Sequence, residues 1–232
     1  MHTVLEELTE YADDHGNRIE YAGPRRGNVR IEFRGANNVV RIAPGARLGR
    51  LVISMDCDNG LFSIGTNSGA PSFVANVRIG QDSSVIVGDN TSTTANCVIS
   101  ATEGTTVEIG DDVMIASHVQ IRADDAHPIF DVRTGQRVNV SRSITIGDHV
   151  WLALGVTVLG GASVGRGSVV GTGSILTSSI PNNCIAVGTP ARVVRRDVAW
   201  ERPHLSLKQP FYKPDASTVE RSPFWELTEE PV

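Results

Sequence analysis

The sequence predicts an all-β fold in which short parallel strands wind into a solenoid, and three observations carry that prediction. An aliphatic residue recurs at every sixth position through Ile146, Leu152, Val158, Val164, Val170 and Leu176, with none skipped. A second run, in another phase, holds Ile109, Ile115 and Ile121 and reaches back more weakly through Cys97 and Val85 to Ile79. The position after each aliphatic is mostly small, as at Gly147, Ala153, Gly165 and Gly171. A period of six matches neither the 3.6 of an amphipathic helix nor the 2 of a simple strand. Three hexads instead close one triangular coil, in which residues eighteen apart, such as Ile146 and Val164, stack inside while small residues turn the corners. No coil buries its aliphatic ladder alone, so stability accumulates along the stack.

Taken in chain order, residues 1–28 read as an N-terminal cap segment, within which 3–14 is expected to form a short helix over the first coil. Residues 29–196 read as the solenoid. Ile42 and Leu48 fit the period, but 50–78 fits poorly and predicts irregular early coils. Between Ile121 and Ile146 the register is lost and resumes shifted by one, which marks an inserted loop over 122–145. From 197 to 232 no repeat is visible. That C-terminal extension carries Trp200, Phe211, Tyr212, Phe224 and Trp225, too many aromatics for a solvated tail, and is expected to pack on the solenoid or on a neighbouring subunit.

Composition narrows the function classes. The chain of 232 residues has a formal net charge of -5 and no long Lys/Arg run, so electrostatics gives no reason to expect a nucleic acid or a membrane surface as partner. Acidic Glu6, Glu7 and Glu10 and the absence of a long apolar stretch argue against a signal peptide or membrane span, and point to a cytoplasmic protein. Cys57, Cys97 and Cys184 lie far apart with no Cys-x-x-Cys spacing, which suits neither a disulfide framework nor a zinc knuckle.

The insertion, RADDAHPIFDVRTGQRVNVSRS, is where chemistry is expected, because functional residues favour loops on rigid scaffolds. It holds His127 before Pro128, with Asp124, Asp125 and Asp131 close by. Imidazole titrates near neutrality without special tuning, so it suits a general base, and a neighbouring carboxylate can orient the ring. Composition alone leaves open that His127 is an ordinary surface residue.

This loop, together with IGDHVWLALGVTVLGGASVGRGSVVGTGSILTSSIPNNCIAVGTPARVV, resembles the hexapeptide-repeat O-acetyltransferases of sugars and polysaccharides over about residues 79–200. The resemblance implies a left-handed parallel β-helix, exceptional because parallel crossovers are normally right-handed. It implies acetyl transfer from acetyl-CoA to a hydroxyl of a sugar or polysaccharide, such as a capsule or lipopolysaccharide glycan, without a metal and in a homotrimer. His127 takes the family's general-base position, and Trp151 the aromatic beside base and donor, although a Trp at a turn equally suits a subunit contact. Asn96, in TANCVI, matches an acceptor-binding position or is a plain turn residue, and Asp125 and Asp131 are further acceptor-site candidates. For the donor, Ala153, Gly171 and Thr172 leave room for pantetheine and the Leu154 N–H takes the oxyanion position. Arg195, or else Arg192, meets CoA phosphate. One departure is Thr177-Ser178, where the family usually has Thr-Lys, so that Thr177 stands without its cationic neighbour.

Other solenoid functions fit less well. A γ-class carbonic anhydrase would need zinc-binding histidines, two of them five residues apart, whereas His118, His127 and His149 are spaced by nine and twenty-two. His118 and His149 fall within hexads and are expected to be bystanders to the chemistry. A non-catalytic binding or scaffold solenoid remains the alternative from another class.

Overall fold

The computed structural model describes residues 2–229, and no helix occurs among them. The strands form three sheets that are the faces of a prism. The first face has eight strands, from Thr3–Leu5 to Ile175–Leu176. The second also has eight, from Tyr11–Ala12 to Ser163–Val164. The third has six, from Ser92–Thr93 to Ala191–Arg195.

One interior column shows how the sequence builds the core. Ile31, Ile53, Val77, Ile99, Ile121, Val158 and Leu176 pair in sequence across the first face, and all are buried. Every aliphatic of the strict hexad run is likewise interior, and Ile146 sits in register with Val164 as the period requires. The early coils depart from the six-residue period. They are wider and not uniform: Ile31 stacks on Ile53 and Ile99 on Ile121 twenty-two residues apart, Ile53 stacks on Val77 twenty-four apart across a register shift between Leu48 and Leu51, whereas Val158 and Leu176 are eighteen apart. Longer strands such as Leu48–Met55 and Phe73–Ile79 explain the missed signal, since they alternate inward and outward residues with a period of two and so mask the hexads.

The expected N-terminal helix over 3–14 is replaced by strands. Thr3–Leu5 pairs antiparallel with Val29–Phe33, and Tyr11–Ala12 pairs antiparallel with Arg18–Glu20. The reason is the open edge of the first coil, whose unpaired backbone groups need partners that a helix lying on top does not supply. Glu6 and Glu7 also face Arg30 and Arg25 in ion pairs instead of lining a helix. At the opposite end the hairpin of Ile185–Gly188 and Ala191–Arg195 closes the third face with an antiparallel edge.

The corners are set by backbone conformation. Asn90, Asp112, His149, Gly167 and Asn183 form a column of left-handed residues on successive coils, at φ between 51° and 69°. Asn, Asp, His and Gly are the residues that tolerate this region best. Beside them the aspartates form a ladder: Asp89 Oδ1 accepts from Thr66 N at 2.7 Å, Asp111 Oδ1 from Asp89 N at 2.7 Å, and Asp148 Oδ1 from Asp111 N at 2.8 Å. Gly110 is required there, because a Cβ would lie 2.3 Å from Asp148 Oδ1.

The C-terminal extension packs on its own solenoid along this corner. Asn183 Nδ2 donates to the carbonyls of Val198 and Phe224, at 3.0 and 2.6 Å, and Asn182 Nδ2 donates to that of Leu227 at 3.0 Å.

Candidate active site

The inserted loop leaves the first face after Gln120–Arg122 and rejoins the second at Ile144–Ile146. Its base is pinned by buried Asp124, whose Oδ1 accepts from Arg78 Nη2 at 2.6 Å and from Ala126 N at 2.9 Å. Beyond that anchor the chain turns sharply, with Ala126 at φ 63° and His127 N donating to the Asp125 carbonyl at 2.7 Å. It then doubles back as a hairpin, bridged at Phe130 and Arg137, and Arg137 and Ser141 are fastened to Glu103 on the solenoid. Those two donors hold the Glu103 carboxyl down at about 2.

His127 stands exposed at the start of this hairpin. None of the loop carboxylates bonds its ring. Asp124 is engaged with Arg78, and Asp131 accepts from the backbone N–H groups of Arg133 and Thr134, both at 2.8 Å. The side-chain carboxylate of Asp125 reaches the histidine only through Asn139. The Asn139 amide donates to Asp125 Oδ2 at 3.0 Å and to the His127 carbonyl at 2.9 Å, and its Oδ1 accepts from Ile129 N at 2.7 Å. Asn139 thus brackets the His-Pro step on both sides, a role its loop position and composition did not signal.

Trp151 lies on the third face, with Leu152 beside it pointing into the core. The pairing series Trp151, Val169, Ile185, Arg195 puts Trp151 and Arg195 in one outward row. Three strand spacings separate them, about 14 Å. At the corner that follows, Ala153 N donates to the Val170 carbonyl and Gly173 N to that of Leu154, so Ala153 and Leu154 stack beneath Gly171 and Thr172. The small residue at Gly171 is dictated locally, since a Cβ there would lie 2.5 Å from Val187 Cγ1. Leu154 is 48% exposed, and its N–H donates to no backbone carbonyl among the described residues. Thr172 is exposed at this corner and Arg192 and Arg195 are exposed on the third face, Arg192 donating to the Ala191 carbonyl at 2.8 Å, whereas Thr177 is exposed at the next corner, after Ile175–Leu176 of the first face. Asn96 is an exposed corner residue before buried Cys97. Among the described residues no hydrogen bond or ring stacking joins His127 to Trp151, which belong to the inserted loop and the third face respectively.

The extension adds a residue to the Trp151 side that sequence reading did not supply. The ring of Trp200 lies 5.9 Å from that of Trp151, tilted at 47°. The signal available was the thrice-repeated Val/Ile-Gly-Asp-x corner (87–90, 109–112 and 146–149), whose last residues Asn90, Asp112 and His149 all face the extension. Among the described residues no group of three or more His, Cys, Asp and Glu is placed to hold a metal ion, and no helix is long and apolar enough to cross a membrane.

No family model matches the chain. The fold and the chain as a whole match the crystal structure of the polySia-specific acetyltransferase NeuO, with a TM-score of 0.72, 29% identity, and coverage of 84% of this chain and 95% of that one. The chain is related to the hexapeptide-repeat O-acetyltransferases. Among these relatives the polysialic acid O-acetyltransferase OatWY superposes with a TM-score of 0.69 at 25% identity, over 84% of this chain and 92% of its own. In sequence, the polysialic acid O-acetyltransferase of Escherichia coli O1:K1 / APEC is 36% identical over 120 residues, 52% of this chain and 39% of that protein. The galactoside O-acetyltransferase of Escherichia coli strain K12 is 39% identical over 101 residues, 44% of this chain and 49% of that protein. The chain thus spans about half the length of the curated relatives it matches.

Proposed function

We propose that this protein transfers an acetyl group from acetyl-CoA to a hydroxyl of a sugar or glycan, with His127 as general base. The observation that carries the reading is His127 itself, an imidazole with no hydrogen-bond partner among the described residues, held at the head of a hairpin that is braced by Asp124, Asn139 and Glu103. A base must keep a free nitrogen for its substrate while its backbone stays fixed, and this loop meets both conditions.

In the proposed reaction the acceptor oxygen attacks the thioester carbonyl carbon as its proton passes to His127. The carbonyl electrons move onto oxygen, where the free N–H of Leu154 is suited to receive them. When the tetrahedral intermediate collapses, the C–S bond breaks, and the imidazolium returns the proton to the departing thiolate of CoA. The donor lies along the corner formed by Ala153, Leu154, Gly171 and Thr172, near Trp151, with its phosphates towards Arg192 and Arg195. Asn96, Asp125, Asp131 and Thr177 stand at the margins as acceptor or donor contacts. The relatives' acceptors, polysialic acid and galactosides, make a glycan the first class to test.

The assembly we propose is a cyclic homotrimer with each site at a subunit boundary. It is supported by the apolar outer surface of the hairpin, where Ile129, Phe130, Val132, Val138 and Val140 are exposed, Val132 to 98%. Such a row on one loop calls for a covering surface. It also accounts for His127 and Trp151 lying unjoined in one chain, since a site shared between neighbours draws them from different subunits.

The test is an acceptor screen across free sugars, nucleotide sugars and oligosaccharides, following CoA release with a thiol reagent. Cys97 and Cys184 are buried, and burial pushes the Cys97 thiol up to about 12, while the partly exposed thiol of Cys57 is subtracted with an acceptor-free blank. Acceptor-dependent CoA release that vanishes in His127→Ala supports the reading. Binding of a glycan with no CoA release from any acceptor points to the scaffold alternative.

A further inference from the structure

His149 is buried, 2% exposed, at the corner column of left-handed residues, and the C-terminal extension is built around it. Its Nδ1 lies 2.6 Å from Asp112 Oδ2 on the preceding coil, and its Nε2 lies 3.0 Å from the carbonyl oxygen of Trp200 in the extension. Both partners are acceptors. A neutral imidazole carries one N–H and would leave one of these oxygens facing a lone pair, so this geometry demands hydrogen on both nitrogens. The ring is also sandwiched between two aromatic residues of the extension, Trp200 at 4.2 Å and 14° and Phe224 at 4.6 Å and 3°. A cation between two π faces gains from both.

The charges around it are arranged for that cation. Asp112 bonds His149 through one oxygen and Arg202 Nε through the other, at 2.8 Å, and Arg202 continues to Ser92 Oγ at 2.7 Å. Glu201, the residue after Trp200, adds negative charge that favours the cation and accepts from Ser222 N and Trp225 Nε1, both at 2.7 Å. Arg166, on the following coil, is occupied by Glu226 and Glu229. Trp200 closes the loop of contacts by donating its Nε1–H to the His149 carbonyl at 2.9 Å. The same Trp200 is the residue that stands against Trp151.

We propose that His149 is a positioning residue, which as an imidazolium latches the C-terminal extension onto the solenoid so that Trp200 walls the Trp151 side of the candidate active site, and which releases the extension on losing its proton. The latch itself rests on the geometry above; only its effect on turnover rests on the acetyltransferase reading. Burial works against the charged ring, but the Asp112 hydrogen bond, the Trp200 carbonyl and the neighbouring carboxylates together raise its pKa above the ordinary histidine value. A raised folded pKa places the contribution below the unfolded value and removes it as pH rises through the folded one. Asp112 is held below the usual carboxylate range, despite burial, by His149 and Arg202, so the latch weakens again only in acid.

The experiment reads the extension directly. Trp151, Trp200 and Trp225 are the chain's 3 tryptophans and all lie in or against it, so intrinsic fluorescence reports its docking. Tryptic cleavage after Lys208 and Arg221, against a peptide control at each pH, gives the fraction released. In the intact wild-type protein, cleavage is expected to accelerate with rising pH, about tenfold for each unit by which the folded pKa exceeds the unfolded one. His149→Asn, which keeps a side chain suited to positive φ, is expected to be cleaved fast at every pH. Asp112→Asn moves the transition to lower pH, a shift that a merely structural contact would not produce. A cleavage rate and fluorescence that stay flat with pH and match in wild type and His149→Asn would overturn the latch. These readouts need no substrate, so an inactive but pH-latched protein would sink only the transferase reading. If both hold, His149→Asn loses turnover with the extension free, whereas His127→Ala loses it with the extension docked.

Discussion

The side-chain amide of Asn139 donates to the main-chain carbonyl of His127 at 2.9 Å, from the far strand of the hairpin that the histidine opens. The same amide group reaches Asp125 and Ile129, so one side chain fixes the backbone on both sides of the proposed base. Misplacing a catalytic group by about 1 Å can cost a hundredfold in rate. Asn139→Ala is therefore expected to lower kcat by about ten- to a hundredfold while the KM for acetyl-CoA changes little. Asn139→Asp, which loses the donor, should behave like the alanine variant. Steady-state kinetics at saturating donor checks both.

His127→Ala is expected to lose about a hundredfold to ten-thousandfold in turnover, the usual worth of general-base assistance. Acetyl-CoA binding, measured by calorimetry, should persist, because no donor contact is assigned to the loop. His118→Ala is the control: His118 is an exposed corner residue at φ 61° and is expected to keep full activity.

Trp151→Ala should cut turnover without unfolding the protein, because its ring is only half-buried and the interior of its strand is carried by Leu152. Thermal unfolding separates the two effects. A variant with wild-type kinetics on the true acceptor would make Trp151 a structural residue.

Replacing Phe130 and Val138 together by Asp puts charge on the apolar outer surface of the hairpin. The expected outcome is a monomer by analytical ultracentrifugation, with activity lost and the solenoid's β-rich circular dichroism intact. A charged variant that stays trimeric would place the subunit boundary elsewhere.

Acid should loosen the loop late. Glu103 is held at about 2 by Arg137 and Ser141, against an ordinary glutamate value near 4.5, so its contribution to the anchor is complete above the ordinary value and is lost as pH falls through about 2. Hydrogen exchange of the Val138 amide, which bonds Ile129 across the hairpin, is expected to stay slow until that range. In Glu103→Gln it should be faster at neutral pH.

The sequence by itself determined the solenoid, because its determinant is local and repetitive. The run from Ile146 to Leu176 needs only a six-residue period to put each aliphatic inside, and the core columns do so. The loop break was equally legible, since a lost register shows in the chain itself. The wider early coils were not, because their longer strands obey a period of two and the coil length follows from how strands of adjacent coils pair. What only the tertiary structure decided are contacts between segments far apart in sequence. Asn139 meets His127 because the loop folds as a hairpin, and Thr3–Leu5 is a strand because the first coil has an open edge to fill. His149 looked like one more hexad residue, yet Asp112, thirty-seven residues before it, and Trp200, fifty-one after it, give it both of its hydrogen-bond partners. A spacing rule reads what repeats along the chain; the charge on a buried ring is set by what the fold brings to its two nitrogens.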